Sequence, residues 1–98
     1  YIYGKKNSYR GDHAHKKCKQ FFIPISGKVE LIIKKDNKEN KFSLNPEKNQ
    51  GILIPNLYWC SLKFITSNSV IMVACDRKYE FNDYIEKYSD FIKIENNK

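Results

Sequence analysis

The sequence predicts an all-β chain, a sandwich or jelly roll, closed by one short C-terminal helix. Three observations carry this. Apolar residues alternate with a period of two through residues 21–25 and 29–33. The segments between such runs carry turn chemistry at short, nearly regular spacing, and nothing repeats at a period that would mark a propeller or a solenoid. With 98 residues, 41% of them hydrophobic and 14% aromatic, there is material for one core and none for a second, so residues 1–98 are expected to form one domain.

Taken in order, "YIY" at 1–3 reads as a strand, and residues 9–15 read as an extended segment. Phe21, Ile23 and Ile25 then alternate with Phe22 and Pro24. Pro24 has no N–H to give a ladder, which implies an edge position or a bulge there. After Ser26-Gly27 the alternation resumes at Val29, Leu31 and Ile33. "KDNKEN" at 35–40 has turn chemistry, 41–44 is a short strand, and "NPEKNQG" at 45–51 is a loop broken by Pro46 and Gly51. "ILIP" begins another strand, and 59–66 and 70–75 make two more around the turn-forming "SNS" at 67–69. At the end, Asn82 or Asp83 is placed to cap a helix carrying Tyr84, Ile85, Tyr88 and Phe91 at three- and four-residue spacing.

The formal charge of +7 comes from 18 Lys and Arg against 11 Asp and Glu, spread along the chain with no run of five like charges. That pattern favours a solvated lysine-rich surface with a local anion site over a nucleic-acid face. No stretch is apolar and long enough to span a bilayer and no leader is visible, so the expectation is a cytoplasmic protein with neither membrane nor nucleic acid as partner. Cys18, Cys60 and Cys75 are odd in number and widely spaced, which suits reduced thiols better than a disulfide framework or a zinc ribbon. The sequence begins at Tyr1, directly in a strand-like segment, and N-terminal strands are expected to be missing.

The chemistry gathers in "YRGDHAHKK" at 9–17. In an extended segment His13 and His15 point to one side and Ala14 to the other, while Gly11 lets the backbone turn just before the pair. Gln20 follows five positions after His15, and Gly27 seven after that. This spacing resembles the first cupin motif, whose ligands hold a divalent metal. Here Gln20 stands where Glu is usual, and Cys60 stands where the second motif supplies a further His. Two imidazoles, an amide and a thiol do not match the oxygen- and nitrogen-rich sites of iron or manganese cupins, so no metal cofactor is expected.

A narrower resemblance covers nearly all of residues 1–91. "RGDHAHKK", "SGKVELII", "GILIP", Trp59, "VIMVAC" and the closing "YEFNDYIEKYSDF" are similar to the WxcM-like cupins, the dTDP-4-keto-6-deoxyhexose 3,4-ketoisomerases. The resemblance implies a cupin-type jelly roll, or double-stranded β-helix, and a homodimer with strands exchanged between subunits. It also implies work without a metal, on a dTDP-linked keto sugar. The product would go to a downstream PLP-dependent aminotransferase making 3-amino-3,6-dideoxy sugars for surface polysaccharides, glycoproteins or antibiotics.

Moving a ketone from C4 to C3 requires removal of the C3 proton, an enediol or enediolate, and delivery of a proton to C4. One base of near-neutral pKa on one face of the sugar can make both transfers, and histidine has that pKa. His15, the inner histidine, is expected to be the base and His13 the relay between the two oxygens. Arg10 or Lys16 would stabilise the developing negative charge, and arginine suits a diphosphate. Tyr1, Tyr3, Gln20, Trp59 and Tyr84 complete the expected substrate contacts. Cys60 and Ser61 after Trp59, and Glu86 after "DYI", depart from the family pattern of Trp-His-Glu and of Arg. These departures motivate the alternative of a non-catalytic cupin that binds a nucleotide sugar.

Overall fold

A computed structural model describes residues 1–97 of the protein. Nine strands and one α-helix follow one another: β1 (Ile2–Gly4), β2 (Tyr9–His15), β3 (Gln20–Ser26), β4 (Val29–Lys35), β5 (Lys38–Leu44), β6 (Ile52–Ile54), β7 (Trp59–Phe64), β8 (Ser69–Cys75), β9 (Tyr84–Ile85) and α1 (Tyr88–Asn96). Every pairing is antiparallel. One sheet has the order β1-β8-β3-β6 and the other β5-β4-β7-β2-β9. The all-β jelly roll with a short C-terminal helix is therefore the observed architecture. No helix among the described residues is long and apolar enough to cross a membrane.

The two inner faces share one apolar core. Val29, Leu31 and Ile33 of β4 interleave with Leu62 and Phe64 of β7 and with Phe22 and Ile71 from the facing sheet, all buried. Alternation is what places them, since β4 buries every second residue. The β4–β5 hairpin closes through Asp36 and Asn37, both at positive φ (51° and 62°), a backbone that short polar side chains tolerate and that matches the twist of the flanking strands. β5 begins at Lys38, earlier than the sequence suggested, because its outer residues are polar and read as loop.

β3 corrects the sequence reading in phase. Phe22 and Pro24 face inward, while Phe21 and Ile25 are exposed, so both faces of this strand are apolar. Pro24 sits at a break of register against β8, and β6 pairs only as far as Phe22, so the missing N–H costs no ladder bond.

The C-terminal segment also differs. Asp83 caps no helix, and Tyr84 and Ile85 form β9 along the edge of β2. The α-helix starts only at Tyr88 and packs Phe91 onto Trp59. Tertiary pairing overrides the helical spacing here, because β2 offers an open edge that Tyr84 and Ile85 satisfy.

Candidate functional site

His13 and His15 leave β2 on its inner face, at the end of the barrel where β3 begins and β8 finishes. The register defines this: His13 lies opposite Cys60 of β7, a core residue, and His15 lies opposite Tyr84 of β9. A bulge sits just upstream. Arg10 pairs with Leu62 and His13 with Cys60, so three steps on β2 match two on β7. Gly11 at φ 101° and Asp12 at φ 32° absorb the extra residue. Gly11 passes close to β7, where an added Cβ would stand 3.2 Å from the Cys60 carbonyl oxygen.

The two imidazoles meet edge to face with centroids 5.0 Å apart, and the Tyr84 ring lies 4.3 Å from His15 and 5.1 Å from His13. His15 is only 6% exposed. Its Nδ1–H donates to Asp83 Oδ2 at 3.0 Å, which leaves Nε2 buried and without a hydrogen-bond partner among the described residues. Asp83 is itself pinned, accepting from the Lys17 amide at Oδ1 (2.7 Å) and from the Cys18 amide at Oδ2 (3.2 Å). Burial pushes the Asp83 carboxyl up, but the hydrogen bonds from His15, Lys17 and Cys18 outweigh it and hold the group below its usual range. An ionised Asp83 selects the His15 tautomer with the proton on Nδ1 and the lone pair on Nε2.

His13 Nδ1–H donates to the Gly11 carbonyl, so its Nε2 is also the free nitrogen. Burial lowers the His13 pKa, and the Gly11 hydrogen bond offsets that only in part. Tyr84 is shifted upward, mainly by burial, so its hydroxyl stays protonated at neutral pH.

The other predicted site residues divide. A cavity of about 200 Å³ is lined by His15, Cys18, Cys75, Arg77, Asp83 and Tyr84 among others. Lys16 lines a neighbouring cavity of about 350 Å³ that shares Tyr84 and also meets Glu86 and Lys87. Gln20 faces inward at the same barrel end, but its Nε2 donates to Cys75 Sγ at 3.7 Å and not to a histidine. Arg10 and Tyr3 line a separate cleft of about 640 Å³, beside Ser8 and Ser69 and without either histidine. Tyr1 is exposed, ahead of β1.

Trp59 is a correction. It precedes Cys60, so strand alternation turns it to the outer face, where it is buried with Ala14, Ile85 and Phe91 under α1. The general cupin ligand positions do not gather either. Among the described residues the group of three potential metal ligands is His15, Cys18 and Asp83, while Cys60 belongs to the core, with its thiol pushed up to about 12 by burial. Asp83, hydrogen-bonded to His15, is the member of this cluster that the sequence reading did not place there. Its signal was an acidic side chain beside "YI" with a helix-cap role assigned to it and nothing yet to cap.

Comparison with known proteins places the chain in a family. The family model described as "FdtA: WxcM-like, C-terminal" matches residues 1–96. The TDP-4-oxo-6-deoxy-alpha-D-glucose-3,4-oxoisomerase of Aneurinibacillus thermoaerophilus is 30% identical over 94 residues, 95% of this chain and 67% of that protein. Among solved structures, a 3,4-ketoisomerase from Helicobacter canadensis superposes with a TM-score of 0.91 at 28% identity, covering 97% of this chain and 71% of that one. A mutant of the 3,4-ketoisomerase QdtA from Thermoanaerobacterium thermosaccharolyticum, in complex with TDP-4-keto-6-deoxyglucose, superposes at 0.89 with 28% identity, over 99% and 70% of the two chains.

Proposed function

This chain belongs to the FdtA family, WxcM-like, C-terminal, and on that premise we propose that it is a sugar-nucleotide 3,4-ketoisomerase. Its substrate is dTDP-4-keto-6-deoxyglucose and its product a dTDP-3-keto-6-deoxyhexose. The observation that carries the reading is the buried His15 Nε2, a lone pair with no protein partner on an imidazole whose other nitrogen is tied to an ionised carboxylate. Such a nitrogen is a base waiting for a substrate proton.

The reaction then runs on this chain's own groups. His15 Nε2 takes the C3 proton, and Asp83 stabilises the imidazolium that forms. The enediolate is held beside His13 and the Tyr84 hydroxyl. His13 moves a proton between the C3 and C4 oxygens, and His15 returns its proton to C4. Burial that keeps His13 neutral suits it to accept and release a proton in turn. Arg77 and Lys78, which line the His15 cavity, and Lys16 beside Tyr84 supply positive charge for the diphosphate. Arg10 receives no role in the proton transfers, because its cleft contains neither histidine.

The protein acts in the cytoplasm as a homodimer that supplies a 3-keto sugar to a PLP-dependent aminotransferase, in the making of 3-amino-3,6-dideoxy sugars for polysaccharides. Support for self-association comes from the outer face of β3 and its neighbours, where exposed Phe21, Ile25 and Leu53 lie on adjacent strands and leave apolar surface uncovered. Residues 1–97 form a single domain of the cupin type.

Incubation with dTDP-4-keto-6-deoxyglucose in deuterated buffer tests the reading. Deuterium enters the sugar at the carbons that exchange, followed by NMR, and 3-keto product accumulates. Tight dTDP binding without any exchange would instead mark a non-catalytic nucleotide-sugar-binding cupin.

A further inference from the structure

The proton-transfer scheme makes no use of Cys18, yet its thiol is buried against the catalytic base. Its sulfur, an imidazole nitrogen of His15 and a carboxylate oxygen of Asp83 all lie within 4.8 Å of one another, and all three residues are buried. The Cys75 thiol lines the same cavity as Cys18. Four separate elements converge here: the end of β2, the turn after it, the end of β8 and the short turn of helix at Phe81–Asp83. His15 Nε2, buried and without a hydrogen-bond partner among the described residues, is a second nitrogen on the same imidazole.

Sulfur, imidazole nitrogen and carboxylate oxygen together select a thiophilic or borderline divalent cation over the hard ions Mg²⁺ and Ca²⁺, which take oxygen. Zinc bonds of about 2.0–2.3 Å set neighbouring ligands roughly 3.3–3.8 Å apart, so the widest separation here has to close by about 1 Å. Opposing charge is limited. Of the two cations that line the cavity, Arg77 is engaged by Asp76 at 3.2 Å, and Lys78 has a flexible stem that can swing to solvent.

We propose that His15, Cys18 and Asp83, with Cys75 as a further donor, form an inhibitory site for Zn²⁺ or a similar thiophilic cation. Coordination displaces the thiol proton to solvent and disables the base through either nitrogen. Bound at Nε2, the metal uses the lone pair that abstracts the C3 proton; bound at Nδ1, it forces the remaining proton onto Nε2. The cation is an inhibitor and not a cofactor, and zinc availability would set the fraction of active enzyme. The inhibition rests on the isomerase reading; the binding does not.

Cobalt(II) added to the intact protein reports binding directly, because a cysteine thiolate on Co²⁺ gives an intense ligand-to-metal charge-transfer band. The wild type is expected to show that band at one cation per chain, with Zn²⁺ displacing it. Cys18→Ser should lose the band and bind at least about tenfold more weakly. Cys75→Ser, at an exposed position, should retain a weakened band and guard against a misfolded Cys18 variant. Cys60→Ser should keep the band, since that thiol belongs to the core. In parallel, Zn²⁺ should suppress C3 exchange in the wild type, reversibly on chelation, and far less in Cys18→Ser. A wild type without a thiolate band, or a band that survives Cys18→Ser unchanged, overturns the proposal. A band that behaves as expected in a protein without exchange leaves the metal site standing and removes the isomerase reading instead.

Discussion

His13, Ala14 and His15 are consecutive, yet they border two different environments. On the inner face, the histidines meet Tyr84, Asp83 and a cavity, and one buried nitrogen has no partner. On the outer face, Ala14 is buried with Trp59, Ile85 and Phe91 in an apolar cluster beneath α1. The same three strands build both, since Trp59 and Cys60, and Tyr84 and Ile85, split between the faces in the same way. The packed face fixes the strands so that the reactive face can leave a polar atom unsatisfied. An orphaned buried nitrogen costs stability, and its offset lies one residue away on the other side of the sheet.

That division can be broken from either side. The largest effect is expected at His15. His15→Asn should cut hydrogen exchange at C3 by about 10²–10⁴ while dTDP binding is nearly unchanged, because the imidazole acts on the sugar. Exchange at the parent rate would move the base elsewhere, and loss of all C3 exchange in His13→Asn alone would swap the two roles. Next, Phe91→Ala should cost about 3–5 kcal/mol in denaturant unfolding, a cavity effect on the sealed face. The surviving folded fraction, assayed at low temperature, should retain most of its turnover. A turnover loss larger than the unfolded fraction would show that the two faces are coupled more tightly than strand alternation requires.

Asp83→Asn sharpens the comparison inside the reactive face. The single amide oxygen can keep the bond from the Lys17 amide but gives up the position that accepts from the Cys18 amide and from His15, so it no longer selects the His15 tautomer and turnover should fall about 10–100-fold with little change in substrate affinity. The nitrogen-15 shifts of His15 should show the proton leaving Nδ1. An unchanged tautomer would sink this account of Asp83.

The smallest effect concerns Cys60, which faces the core directly opposite His13. Burial raises its thiol from 9.0 to about 12, so the unfolded chain ionises first as pH rises. Stability from this group is whole below pH 9 and is lost between there and the folded pKa, by about 1.4 kcal/mol per pH unit. Cys60→Ala should flatten that alkaline slope in denaturant titrations, and a slope equal to the wild type would assign it to other groups.

What the sequence made legible follows the same geometry. Strands with one apolar face, such as β4, announced both their existence and their phase, and the HxH pair announced a common side. β3 was legible as a strand and illegible in phase, because Phe21 and Ile25 are as apolar as Phe22 and Pro24. Trp59 was misassigned although its neighbour Cys60 already implied the opposite side. Asp83 stayed hidden for a different reason. It lies 68 residues from His15, and only the closure of β9 onto β2 brings them together. Cys18 looked inert for the same reason, since its partners come from distant parts of the chain.

The extra residue at Gly11–Asp12 has a consequence for how this segment tolerates changes of length. Side-chain direction along a strand is a matter of odd and even, and the bulge reverses that count for everything upstream of it. Removing either residue would restore a regular ladder, with Arg10 still opposite Leu62, Tyr9 still opposite Lys63 and His13 still opposite Cys60. A single deletion here would therefore act as a local shortening that leaves both flanks facing as they do, whereas a deletion elsewhere in the strand would reverse the side chains beyond it. When a relative without the bulge is aligned across residues 9–13, a gap of one position at Gly11–Asp12 keeps like-facing residues together and an ungapped alignment equates residues that point in opposite directions, so the count between the arginine and the first histidine carries as much information as the residues themselves.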